Sequence, residues 1–401
     1  MQPLQNNILT INGGSSSIKF AVYKTNEPLT LILSGSIKNI STNNTTFSFK
    51  NDTDNKKDIS LPAVNNFNKA TTYLIDWLEL QVDFNTIKAV GHRLVHGMQH
   101  TEAVKISPEL MTELKQISFY DPEHLPAEIS LIEIVSKRYP ALLQVACFDT
   151  SFHTTMPHIA KLLPIPLKYF NKGIQRYGFH GLSYAYLLQK FQQIEGNKVA
   201  NQKIILAHFG NGASLAAVKN GQCIDTSMGF TPASGLIMST RTGDLDPGVA
   251  WYLMQVEKLS TKEFNHLINH ESGLLGVSET SADMQELIKN RHTDIRAANA
   301  FELFCYQAKK IIGSYAAALD GLETVVFSGG IGEHSPEVRK QICAGLNFLG
   351  IEIDDTKNKN NGPVISTNSS RVTVHIIKTN EELMIAQLVG NVLNQGAKNK
   401  F

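Results

Sequence analysis

Apolar residues gather in short runs broken by glycine-rich turns and in longer stretches of helical period, an alternation that predicts an α/β chain. Ile8 to Ile11 reads as a strand that runs into Asn12-Gly13-Gly14-Ser15-Ser16-Ser17 and resumes from Ile18 to Tyr23. The polar stretch that follows is rich in Asn, Thr, Asp and Lys, alternates Phe47 and Phe49, and reads as an exposed antiparallel hairpin. Helical periodicity appears from Phe67 to Leu80, after the N-cap serine and N1 proline of Ser107-Pro108-Glu109, and from Pro126 to Arg138. Ala141 to Phe148 reads as a buried strand ending at Asp149.

The second half opens with the same pattern. Lys203 to Phe209 is a strand, Gly210-Asn211-Gly212-Ala213-Ser214 a turn, and Leu215 to Val218 a return strand. Sliding the first loop onto this one puts Gly13 on Gly210, Ser17 on Ser214, Ile18 on Leu215 and Ala21 on Val218, which suggests a duplicated unit. Two unrelated glycine hairpins are the alternative. A Gly/Ser/Thr-rich stretch from Asp225 to Gly248, a long helix from Ala297 to Leu319 and a strand from Thr324 to Phe327 follow. Ser328-Gly329-Gly330-Ile331-Gly332-Glu333-His334 leads into a helix begun by Ser335-Pro336-Glu337. The last strand is Val372 to Ile377, and the last helix follows Thr379-Asn380-Glu381-Glu382.

With 401 residues the chain exceeds one typical core, so two domains are expected. Hydrophobic residues at 42% and charged residues at 18% exclude a disordered chain. A formal charge of +1 supplies no basic face for nucleic acid, which leaves small molecules as the expected partners. The opening residues carry no basic region followed by an apolar stretch, and no run is long enough to span a membrane, so a cytoplasmic enzyme is expected. Cys147, Cys223, Cys305 and Cys343 lie far apart with no CxxC pair, in keeping with reduced core thiols.

Three glycine-rich turns, around Gly13, Gly212 and Gly330, each follow an apolar strand. Glycine lets backbone N–H groups approach a phosphate with no Cβ in the way, so together they suggest a nucleotide cradle. No P-loop sequence is present, and the Rossmann spacing fails because Leu215 stands where its last glycine belongs. Phosphoryl transfer also needs cations around the equatorial oxygens, and Arg93 and Arg241 sit beside glycine-bearing turns without the charge spacing of a solvated helix face. Asp149 at a strand end suits a cleft-lining carboxylate, with a turn cap as the alternative. His180 precedes a helix and suits a donor to the phosphoryl group, with a structural hydrogen bond as the alternative. His92, His96 and His100 have the spacing of a helical zinc site, but Gly91 and Gly97 argue against a helix there. A capping box of Thr379 with Glu382 would leave Glu381 free to hold magnesium.

The assembled set resembles the acetate kinase family, within the acetate and sugar kinase, heat-shock chaperone and actin superfamily. Asn12-Gly13-Gly14-Ser15-Ser16-Ser17-Ile18-Lys19 is similar to its first signature, and Asp225 to Pro232 through Arg241-Thr242-Gly243-Asp244 to its second. The resemblance implies two duplicated RNase H-like, actin-like ATPase domains with a central interdomain active-site cleft. Residues 1–150, joined by a C-terminal helix at about 382–401, would form the first, and 151–381 a nucleotide-binding and dimerisation domain. It implies reversible, direct in-line transfer from ATP to acetate, giving acetyl phosphate and ADP, by a homodimer that uses magnesium or manganese. Propionate kinase is the closest alternative, and a non-catalytic actin- or chaperone-like nucleotide switch a more distant one.

By resemblance, Asn12 and Glu381 would serve the metal, Lys19 would lie near the ATP phosphates, and Arg93 would bind the acceptor. Asp149 would be the catalytic carboxylate, with His180 and Arg241 stabilising the phosphoryl group in flight. ATP would contact His208, Phe209, Gly210, Asn211 and Gly212, then Asp283, Met284 and Gln285, and finally Gly330, Ile331, Gly332, Glu333 and His334. The chain departs from the family pattern at Leu125, where an amide is usual, and at Leu182 and Tyr184 after the histidine. It departs again at Ala233 and Ser234, and at His334 in place of an asparagine.

Overall fold

The computed structural model describes residues 6–14, 16–40, 44–51, 53–196 and 201–398. The chain divides into two units, Met1–Ser151 with Asn380–Phe401, and Phe152–Thr379.

The first unit is built on an eight-stranded mixed sheet. Its strands are β1 (Asn7–Gly13), β2 (Ile18–Lys24), β3 (Thr30–Lys38), β4 (Thr46–Asn51), β5 (Asn55–Ser60), β6 (Ile87–Leu94), β7 (Val104–Lys105) and β8 (Leu143–Phe148). The order is β5-β4-β3-β2-β1-β6-β8-β7. β1 to β5 run antiparallel in succession, whereas β1, β6 and β8 are parallel neighbours. A parallel strand at the centre is covered on both faces, and β1 is accordingly buried along its whole length.

The region expected to be an exposed hairpin is instead a three-strand extension of this sheet, and only β5 is exposed throughout. Leu33, Ile37 and Phe47 point into the core because alternate strand positions share a face. That face receives the helix Phe67–Gln81, whose Trp77 meets Phe47 edge-on at 4.8 Å and Phe49 at 4.7 Å between ring centroids. The other side carries the C-terminal helix Glu381–Lys398. A Cβ on Gly91 of β6 would lie 2.5 Å from Ile385 and 2.6 Å from Val389, so glycine is what lets that helix seat on the sheet.

The second unit contains β9 (Lys203–Phe209), β10 (Ala213–Lys219), β11 (Gln222–Thr226), β12 (Thr324–Ser328) and β13 (Thr373–Ile376), in the order β11-β10-β9-β12-β13. β9 to β11 are antiparallel, and β9, β12 and β13 are parallel. This repeats the β3-β2-β1-β6-β8 portion of the first sheet strand for strand, which is the duplication the two glycine turns suggest. The residue match differs in detail. Gly13 pairs with Ile18 across four intervening residues, but Phe209 pairs with Ala213 across three, so no single offset superposes both strands. The long helix Ile295–Ala318 buries Phe301, Phe304, Ala308 and Ile312 at helical spacing, with Phe304 edge-on to Phe209 of β9.

Candidate functional site

In the first unit the candidate residues sit at the carboxyl ends of the parallel strands. Arg93, next to last in β6, directs its guanidinium to Asp149, the residue after β8: Nε and Nη2 both donate to Oδ2, at 3.0 and 2.6 Å. Nη1 donates to the Gly13 carbonyl at the end of β1 at 3.1 Å and to Glu128 Oε1 at 3.4 Å. Burial works against the Arg93 charge, yet Asp149, Glu128 and Glu381 outweigh it and raise the guanidinium pKa further above its ordinary value. The Arg93 side chain keeps 13% of its surface exposed while Asp149 keeps 1%, so the arginine is the member that still reaches solvent.

Glu128 was not among the sequence candidates. It lies in the first turn of the helix Leu125–Arg138, where an acidic residue reads as an ordinary complement to the helix dipole. Its second oxygen accepts from the Val95 N–H at 2.9 Å. Burial pushes its pKa up to about 8, against the lowering pull of Arg93 and of that N–H.

Asn12, next to last in β1, donates from Nδ2 to Glu381 Oε2 at 2.9 Å and to Glu382 Oε1 at 3.4 Å. The helix that carries both glutamates is capped differently from the expected box. Asn380 Oδ1 accepts from Leu383 N, and Thr379 hydrogen bonds to Ser183 instead. A one-position change of cap residue therefore leaves both glutamates, not one, beside Asn12. An amide and two carboxylates present hard oxygen donors of the kind magnesium prefers. Lys19 is the cross-strand partner of Asn12 and is exposed.

The histidine triplet makes no metal site. His92 is in a strand and its Nε2 meets Gln144 Oε1 at 2.7 Å, His96 Nδ1 accepts from Met98 N, and His100 meets Glu113 at 3.1 Å. No group of three histidine, cysteine, aspartate or glutamate side chains is placed to hold a metal ion among the described residues.

In the second unit, His180 sits at the start of the helix Gly181–Glu195 with φ 59°, a left-handed conformation that costs a non-glycine residue roughly 1–3 kcal/mol. Its ring is fixed on two sides, by Ser214 Oγ at 2.8 Å from Nδ1 and by stacking on His208 at 4.4 Å between centroids. Ser214 also meets the buried Tyr184 hydroxyl at 2.5 Å, so the departure at Tyr184 serves the histidine's hydroxyl partner. His208 Nδ1 is within 2.8 Å of Ser183 Oγ. Arg241 Nη1 donates to the Pro232 carbonyl at 3.1 Å. A Cβ placed on Gly212 would lie 3.0 Å from His180 Nε2 and 3.8 Å from Arg241 Nη1, so both side chains come close to that glycine.

The remaining nucleotide candidates divide by exposure. Asn211, Gly330 and His334 are exposed, and Gly210 accompanies them in the turn, its N–H donating to the Gly212 carbonyl. Phe209 and Met284 are buried, and Asp283 caps the helix Met284–Asn290 through Gln285 N and Glu286 N. Ile331 lies in the short helix Gly329–His334, and the Gly332 carbonyl there accepts from buried Arg339. Glu333 turns inward, accepting from Gly329 N at 3.0 Å and Thr379 N at 3.2 Å.

The model of the acetokinase family matches residues 7–387. An acetate kinase of Rhodopseudomonas palustris is 39% identical over 97% of this chain and 99% of its own length. One from Thermoanaerobacterium thermosaccharolyticum is 40% identical over 95% and 97%. Among solved structures, Porphyromonas gingivalis acetate kinase aligns with a TM-score of 0.84 at 34% identity, covering 97% of this chain and 100% of that one. A propionate kinase from Francisella tularensis aligns with a TM-score of 0.88 at 36% identity, covering 96% and 98%.

Proposed function

Since the chain belongs to the acetokinase family, phosphotransferases with a carboxyl group as acceptor, we propose that it transfers the terminal phosphoryl group of ATP to acetate. An acetate oxygen attacks the γ-phosphorus in line, the bond to the bridging oxygen breaks, and acetyl phosphate and ADP result; the reverse reaction uses the same groups. The observation that carries this reading is the approach of His180 Nε2 and Arg241 Nη1 to one glycine, to within 3.0 and 3.8 Å of where a Cβ on Gly212 would stand. Such preorganised donors stabilise charge spreading over the equatorial oxygens.

Arg93 binds the acceptor carboxylate, and Asp149, the catalytic carboxylate of this reading, orients its guanidinium. Asn12 and Glu381 are the residues that would hold magnesium, which supplies charge neutralisation at the β- and γ-phosphates when bound. Lys19, the turn His208 to Gly212, the segment Asp283 to Gln285 and the turn Gly330 to His334 serve the nucleotide. Hydroxamate formation from ATP, acetate and hydroxylamine with magnesium tests the proposal, and no product from any short carboxylate would end it. Propionate is the second reading, favoured by the Francisella relative. Comparing kcat/KM for the two acids decides, because one methylene is worth only about 1–3 kcal/mol in a pocket.

A homodimer is part of the same proposal. The helix Pro247–Gln255 buries none of its residues, and Trp251 is 63% exposed with Tyr252 and Val249 beside it. Sedimentation of the protein and of Trp251→Glu tests this, with a monomeric wild type as the refuting result. A cytoplasmic location is supported by four buried free thiols. No helix among the described residues is long and apolar enough to cross a membrane.

A further inference from the structure

Arg93 faces more buried carboxyl groups than one guanidinium can neutralise were all of them ionised. Within the first unit it meets Asp149 and Glu128 directly, so one cation stands against two carboxylates that are both almost fully buried. Glu128 is tied from three sides. Arg93 reaches it from β6, the Val95 N–H from the turn after β6, and its own helix supplies the third wall. The other charged groups that face it are Asp149 from the end of β8 and Asp121 from the loop before its helix; Asp121 is paired with His124 at 2.9 Å. Glu381, at the start of the C-terminal helix, acts on Arg93.

An acceptor carboxylate brings a further negative charge to Arg93. With Asp149 and Glu128 both ionised, that anion approaches a cluster already carrying an excess negative charge. In a poorly solvated site like charges interact far more strongly than in water. With Glu128 protonated, Arg93 and Asp149 balance, and the guanidinium is free to take a second anion.

We propose that Glu128 is a positioning residue for the acceptor arginine, and that the acceptor carboxylate binds only when Glu128 carries a proton. The inference rests on the reading of Arg93 as the acceptor site. Glu128 holds the guanidinium from the side opposite Asp149 and sets, by its own charge, whether Arg93 has attraction left for substrate. With burial holding the Glu128 pKa up to about 8, the proton is present at neutral pH and is lost in mild alkali. Linkage then gives the sign: acceptor affinity falls as pH rises through the Glu128 pKa. If the ionised form does not bind, the acceptor KM rises about tenfold between pH 7 and pH 9.

The test is steady-state ADP release by the full chain between pH 6.5 and 9.5, with KM determined for acetate and for ATP in the wild type and in Glu128→Gln. The acetate KM of the wild type rises across this range while the ATP KM changes less than threefold, and the rise is absent in Glu128→Gln. A residue with a purely architectural role would lower activity at every pH and leave the slope in place. A flat wild-type acetate KM overturns the inference, as does an equal rise in Glu128→Gln. Should Glu128→Gln fail to fold, Glu128→Asp draws the charge back by one methylene and shifts the midpoint of the rise; an unchanged midpoint overturns it. Absence of turnover with every short carboxylate defeats the reading of Arg93 itself, whereas turnover with a flat profile defeats only the part assigned to Glu128.

Discussion

Replacing Gly212 by alanine places one methyl group in the space that His180 and Arg241 approach. Its carbon would lie 3.0 Å from His180 Nε2 and 3.2 Å from Cε1. The first distance is that of a hydrogen bond and too short for a carbon contact, so the ring or the methyl must give by a few tenths of an ångström. The ring has little room to yield, being tied to Ser214 on one side and stacked on His208 on another. On the proposed reading, the methyl competes with a phosphoryl oxygen for the position beside Nε2. Losing one preorganised donor costs about 2.7–4 kcal/mol, or on the order of 10²–10³ in kcat. Stability follows a different course. The Gly212 backbone lies outside the left-handed region, so alanine is conformationally acceptable there, and the roughly 0.4–1 kcal/mol it gains through the unfolded chain offsets the cost of the tight contact with the His180 ring. Turnover at saturating ATP and acetate, beside a thermal melt, separates the two effects. The expected result is a loss of kcat of at least about 10²-fold with an essentially unchanged melting temperature. A variant that keeps its kcat within threefold of wild type would refute the convergence of these donors on the reacting group.

Arg241→Ala lowers kcat by on the order of 10³-fold or more, as for other arginines that stabilise phosphoryl charge; a loss under tenfold would return Arg241 to holding the Pro232 loop. Burial lowers the pKa of His92, His96 and His153 to about 4, each below the ordinary 6.5. The unfolded chain therefore takes up these protons first, and stability present above pH 6.5 is lost as pH falls toward 4. The urea midpoint should be lower at pH 5 than at pH 7.5, and equal midpoints would contradict the buried neutral state of these rings. Asn380→Ala removes the cap of the C-terminal helix and costs about 1 kcal/mol, read as a lower urea midpoint, whereas an unchanged midpoint would point to another cap.

The strands and most helices were legible because their apolar periods match the packing that buries them. Ser107 caps its helix through Leu110 N, as the Ser-Pro-Glu signal indicates. The three-strand extension was misread because polar residues fill its turns and its edge strand, while the inward positions that anchor it, such as Leu33 and Phe47, are few. Arg93 and Asp149 were each suspected from their local settings, but the bond between them spans 56 positions and no local pattern encodes it. Glu128 escaped notice for the same reason, since a glutamate in a first helical turn is commonplace. The exchange of caps between Thr379 and Asn380 was illegible because Thr379 is drawn to Ser183, 196 positions away.

Both units place their candidate residues at the carboxyl ends of three equivalent parallel strands, where open α/β sheets bind ligands. In the first, the ends of β1, β6 and β8 present Asn12, Arg93 and Asp149. In the second, the ends of β9 and β12 lead into the turns at Gly210 and Gly329, and Thr379 follows β13. The shared frame has been filled with opposite electrostatics. The first unit buries a charged network in which removing Arg93 strands the buried Asp149 carboxylate, a class of change that costs about 3–5 kcal/mol. Loss of activity in an Arg93 variant would therefore mix lost binding with lost stability. The second unit carries a glycine turn and candidate side chains that hydrogen bond mostly to neutral partners, Ser214 and the Pro232 carbonyl. Its function can be impaired without exposing a buried charge, so a single methyl at Gly212 separates catalysis from folding where no substitution at Arg93 can.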